Sequence, residues 1–171
     1  MNFPKRYIPS ILTTRDKKKQ KRELSKSKTG YKKGKYYTRK KVKSFKSKES
    51  AHIKKAKKIY GLDKISPSAN LAKKTGCTIS ALRKIVKKGQ GAYYSSGSRP
   101  NQTSQSWGIA RLASSITGSK AAAVDFKILQ NGCKPNSKAL RLAKSAKKKY
   151  GHGTRRVPKQ KGGNNRTKNK F

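Results

Sequence analysis

Acidic residues are nearly missing from this chain: five Asp and Glu face 48 Lys and Arg, a formal net charge of +43. A chain so charged repels itself, and something outside it must neutralise it. Nucleic acid, an anionic membrane surface and an acidic protein lattice are the partners that carry enough negative charge. The excess is not confined to the ends. Residues 1–46 hold 18 cations against Asp16 and Glu23, residues 152–171 hold 7 and no acid, and the middle holds 23 against Glu49, Asp63 and Asp125. The central part is therefore basic by itself.

Apolar residues make up 31% of the chain, below the roughly 45–50% usual for globular domains. That supports one small core of about 100 residues and no second one. No apolar run reaches the ~18 residues of a membrane span, and the opening MNFPKRYIPS lacks the apolar stretch of a signal peptide. Cys77 and Cys133 are isolated from each other in sequence. Spacing cannot show whether they meet, and the expectation is two reduced, small apolar side chains.

Three regions follow from composition. Residues 1–46 read as an extended basic arm, because their apolar residues show neither helical nor strand period. Within it Lys32, Lys33, Tyr36, Tyr37, Arg39, Lys40 and Lys41 interleave cations with tyrosines. Such a segment is either a solvated linker or an arm that orders on a partner, with Lys on phosphates and Tyr on bases. Residues 47–151 read as an all-α cluster of five or six helices. Ala51, Ile53, Ala56, Ile59 and Tyr60 form one helical stripe. Further helices are expected at about 67–75, from Thr78 to a stop at Gly89, from Thr103 or Ser104 to Thr117 with Trp107 near the centre of the core, from Ser119 past Leu129, and from beyond Pro135 to Tyr150. Residues 152–171, with Arg155 and Arg156, read as a second basic arm.

The segment from Leu71 to Ile85 resembles a helix-turn-helix. Ala72 is small where two helices would cross, Gly76 suits the turn, and Leu82 and Ile85 pin the second helix. Its outer face would offer Arg83 to base edges and Lys84, Lys87 and Lys88 to phosphates. A plain structural corner explains the same residues. Arg99 and Arg111 lie nearest the expected core and suit either phosphate or a bridge between loop carbonyls and Asp125.

Catalysis finds little to use. Five dispersed acids offer no carboxylate pair for acid/base work or Mg²⁺, His52 and His152 stand in unrelated contexts, and no Gly-rich phosphate loop ends in Gly-Lys-Ser/Thr. The expectation is a non-enzymatic protein with no catalytic residue, no cofactor and no metal.

The stretch GAYYSSGSRPNQTSQSWGIARLAS, with Gly118-Ser119-Lys120 and Asp125 behind it, resembles an uncharacterised domain encoded by large double-stranded DNA viruses of eukaryotes and by some large phages. The resemblance covers roughly residues 62–131 and implies a viral origin without a mechanism. The expected function is accordingly a virion structural protein, a minor capsid or core component docked on acidic capsid proteins or the genome, found in the virion and in host cytoplasm or nucleus during assembly. The alternative is a helix-turn-helix DNA-binding protein for packaging, condensation or regulation. A ribosomal protein is the outside choice.

Overall fold

The computed structural model describes residues 1–151. Among these the protein is all-α, with a 3-10 turn at Lys5–Tyr7 followed by eight helices: α1 Thr14–Lys32, α2 Ala51–Tyr60, α3 Ala69–Thr75, α4 Ile79–Ser95, α5 Ser104–Ile116, α6 Lys120–Val124, α7 Phe126–Gly132 and α8 Lys138–Tyr150. The arm expected at 152–171, including Arg155 and Arg156, lies outside the described residues.

Hydroxyl caps begin most of these helices. Thr13, Ser50, Ser68, Thr78, Thr103 and Ser137 each accept a backbone N–H from the first turn they precede. The apolar stripes of α2 to α8 then close one core around Leu71, Leu82, Ile85, Leu112, Ile116, Leu129 and Leu140. Tyr60 lies in this core and donates its hydroxyl to the Ile116 carbonyl.

The central packing is α4 against α5. Gly89 does not stop α4, which continues to Ser95. It is where the two helices touch: a Cβ at Gly89 would lie 2.7 Å from the Cα of Gly108, and one at Gly108 would lie 2.7 Å from the Val86 carbonyl oxygen. Sequence alone reads such a glycine as a terminator, whereas here it permits close approach. The helix expected to run unbroken from Ser119 is divided at Asp125 into α6 and α7.

Three other expectations are corrected. Residues 1–46 are not an extended arm: α1 fills 19 of them, and Phe3, Tyr7, Ile8, Leu12, Leu24 and Val42 are buried in a second apolar cluster. Trp107 is not at the core centre; it is half-buried beside that second cluster, edge-on to Tyr7 at 5.9 Å. The core aromatics are Tyr60 and Phe126, and Tyr93 is fully buried as well.

The cysteines are not separate reduced thiols. Cys77 and Cys133 form a disulfide across 56 residues of sequence. The Thr78 N–H donates to the Gly132 carbonyl (2.7 Å) and the Lys134 N–H to the Gly76 carbonyl (2.8 Å), so a short antiparallel bridge brackets the bond. The turn between α3 and α4 is thereby tied to the segment between α7 and α8.

Two outcomes follow for stability. The chain unfolded without reductant should show no free thiol, and Cys77→Ser with Cys133→Ser should lower unfolding free energy by up to about 4 kcal/mol through lost loop closure. Gly108→Ala should cost about 1–3 kcal/mol by overpacking the α4–α5 contact. Gly91→Ala, in α4, where an added Cβ would meet nothing closer than the Tyr31 hydroxyl at 3.9 Å, should be neutral or mildly stabilising in urea titrations.

Candidate nucleic-acid interface

Three of the five carboxylates, Asp16, Glu23 and Asp125, are directed inward; Glu49 and Asp63 are exposed. After α1 the chain turns at Gly34 and residues 35–44 run back beside the helix as a strap. Glu23 accepts the Lys40 N–H (2.8 Å) and the Tyr37 hydroxyl (2.8 Å). One turn-pair earlier, Asp16 accepts both the N–H (2.7 Å) and the hydroxyl (2.6 Å) of Ser44. Burial pushes the Glu23 carboxyl up, but the Lys40 amide and the Tyr37 phenol outweigh it and hold it below its ordinary value. The two Ser44 hydrogen bonds do the same for Asp16.

Asp125 is the buried counterpart in the body. Arg111 grips it through Nε (2.9 Å) and an Nη (2.7 Å), Ser115 donates a hydroxyl (2.8 Å), and the Lys88 ammonium reaches it at 2.9 Å. Burial raises the carboxyl's pKa, and these donors more than reverse the effect. Glu49 pairs with Lys57 at 2.6 Å on the surface.

Arg39 joins the strap to the body without any acid. Its guanidinium donates to Ser27 Oγ (2.9 Å), the Tyr93 carbonyl (2.8 Å) and Ser98 Oγ (2.6 Å), and lies 3.6 Å over the Tyr93 ring. Four segments meet on one cation satisfied by neutral oxygens and a π face. Asn101 adds a second fastening, accepting the Val42 N–H and donating to the Val42 and Phe45 carbonyls.

What this leaves outside is cationic. Arg15, Lys18, Lys19 and Arg22 recur at three- and four-residue steps on one face of α1. With Lys40 and Lys43 of the strap, and with Thr13, Asp16 and Ser44, they line a groove of about 950 Å³. Its single carboxylate is already occupied by Ser44. Lys19 turns its ammonium onto the Lys41 carbonyl at 2.7 Å; Arg15, Lys18, Arg22, Lys40 and Lys43 are exposed.

The expected site residues divide against this surface. Lys40 belongs to the groove, and Lys41 lies exposed beside it. Lys32, Lys33 and Tyr36 are exposed at the far end of α1. Tyr37 is committed to Glu23, and Arg39 is buried and unavailable to a partner, a correction that follows from its packing against Tyr93. Arg111 and Lys88 are held by Asp125, which resolves Arg111 in favour of the internal bridge. Arg83, Lys84 and Lys87 are exposed on α4, and Arg99 is exposed in the α4–α5 loop. The turn that would lead a reading helix into a groove is covered: a Cβ at Gly76 would lie 2.6 Å from that of Ser137, and one at Gly132 would lie 2.3 Å from that of Ala81. Arg15, Lys18, Lys19, Arg22 and Lys43 are not among the residues expected from sequence, although the first four stand at helical spacing.

Among the described residues, no three His, Cys, Asp or Glu side chains gather where they could hold a metal ion, and no helix is long and apolar enough to cross a membrane. Fold and site together define a disulfide-closed, all-helical domain with a cationic groove along its first helix. The chain belongs to DUF5824, a family of unknown function, whose model matches residues 4–141. That match takes in α1 and the strap as well as the body. No curated protein and no solved structure matches the chain.

Two substitutions separate internal cations from external ones. Asp125→Asn should destabilise the fold by roughly 3–5 kcal/mol, because Arg111 loses its buried partner. The wild-type carboxyl titrates below its unfolded value, so its contribution is complete above about pH 4 and lost as pH falls through the depressed value. The gap between the urea midpoints of the two proteins should therefore close as pH falls through that depressed value. Arg39→Ala should cost about 3 kcal/mol while leaving the salt dependence of nucleic-acid binding unchanged.

Proposed function

We propose that this protein is a non-enzymatic structural component of a nucleic-acid-loaded particle, a virion, and that it holds the nucleic-acid backbone in the groove between α1 and the strap. The observation that carries this is the groove's arrangement. Cations from two segments line it together, and the carboxylate among them is occupied by Ser44. Like charges so placed repel unless an anion lies between them. A row of cations at helical spacing suits a row of phosphates better than a single small anion, and a backbone contact of this kind positions without reading sequence. The virion setting rests on the resemblance of residues 62–131 to the viral domain, together with a net charge that demands a large polyanion.

The test is a salt titration of binding to random-sequence duplex DNA by the full chain. Each phosphate contact removed should flatten the slope of log K against log salt by about 0.9. Arg15→Ala, Lys18→Ala and Arg22→Ala together should therefore flatten it by about 3. The same number of changes on α8, at Arg141, Lys144 and Lys148, should do much less. Equal losses would reduce the groove to generic charge. A larger loss from Arg83, Lys84 and Lys87 would move the interface to α4. Particles carrying the groove variant should incorporate less of it, scored by immunoblot of purified virions.

A further inference from the structure

Three tyrosines meet where α1 ends. Tyr31 lies in the last turn of α1, Tyr94 in the last turn of α4, and Tyr36 on the strap just past its turn. The Tyr31 and Tyr94 rings are parallel within 6°, with centroids 6.4 Å apart. Tyr36 stands edge-on to both, at 6.0 Å from Tyr31 and 5.1 Å from Tyr94. Packing accounts for Tyr94, whose ring also abuts the buried Tyr93 at 5.0 Å. It does not account for Tyr36, which is 72% exposed although it is among the chain's larger apolar side chains.

The surroundings indicate what would cover that ring. Lys32, Lys33 and Lys35 are exposed beside it in the chain, and no acid occurs between Glu23 and Glu49. An aliphatic partner would have to desolvate these ammonium groups. A nucleobase would not, because it brings a π face for the ring and a phosphate for the lysines together. In a duplex those faces are stacked on each other, so the match is to an unpaired strand.

We propose that Tyr36, supported by Tyr31 and Tyr94, is a stacking platform for a base of single-stranded nucleic acid, with Lys32, Lys33 and Lys35 on the flanking phosphates. This rests on the nucleic-acid reading of the groove and narrows it to a strand with accessible bases. Arg15 and Tyr31 are sixteen residues apart on one helix, about 24 Å. A strand touching both ends of α1 must therefore run at least about seven nucleotides at stacked spacing.

The experiment compares the full chain with Tyr36→Ala and Tyr36→Phe in fluorescence-anisotropy titrations. The probes are a labelled single strand, dT20, a 20-base-pair duplex and polyglutamate. Tyr36→Ala should weaken dT20 binding about tenfold without changing its salt slope. Tyr36→Phe should stay within about twofold of wild type, since it keeps the π face. Duplex and polyglutamate affinities should not move. Unchanged helical circular dichroism, expected for so exposed a side chain, shows that the fold is intact. A loss shared by dT20, duplex and polyglutamate would overturn the platform, as would dT20 binding indifferent to Tyr36→Ala. If either of those results comes together with steeply salt-dependent duplex binding by wild type, the groove stands while the platform falls. If wild type binds neither nucleic acid in a salt-dependent way, both fall.

Discussion

Mutual repulsion among 48 cations is the constraint to which every segment of this protein answers. Acids scattered on the surface would reduce the net charge while holding nothing together. Instead Asp16 and Glu23, seven residues apart on α1, take up backbone N–H groups of the returning strap, and Asp125 gathers α4, α5 and the α6–α7 junction. While Glu49 and Asp63 lie exposed, each of these three carboxylates joins segments distant in sequence. Its hydrogen bonds keep it charged despite burial, so these attachments persist until strongly acid pH.

Arg39 shows the same economy from the cationic side. A guanidinium with no carboxylate partner is ordinarily an expensive thing to bury. Here two serine hydroxyls, a carbonyl and the Tyr93 ring supply what the lost water did. The strap can thus be fixed at both its acidic contacts and its basic one. The surface left between α1 and the strap is then almost purely cationic, and its shape is set by hydrogen bonds that a bound anion need not disturb.

The body of the fold was legible because its code is apolar. Leu82 and Ile85, Leu112 and Ile116, and Leu140 and Ala143 mark helix faces at the expected period, with Thr78, Thr103 and Ser137 at their starts. The first helix was not legible, because its buried face is written in polar residues: Asp16, Gln20, Glu23 and Ser27, with Leu24 the one apolar member. Each becomes buriable only through a partner far away in sequence, and periodicity of hydrophobicity cannot register that. The groove was lost with the helix that forms half of it. Gly89 misled for a related reason, since a glycine that ends a helix and one that admits a neighbour look alike until the neighbour is known. The exposed tyrosines and Lys40 were legible in identity, and only their neighbours were not.

The bond between Cys77 and Cys133 gives the molecule a covalent topology as well as a fold. It makes a closed ring of α4, α5, α6 and α7, the four helices that contain the Gly89–Gly108 crossing and the Asp125 cluster. α1, the strap, α2 and α3 hang from one side of that ring, and α8 from the other. Repulsion that loosens the protein can peel either flank away while the ring keeps its ends joined. The groove, which lies wholly on the first flank, is therefore built from chain outside the covalent ring.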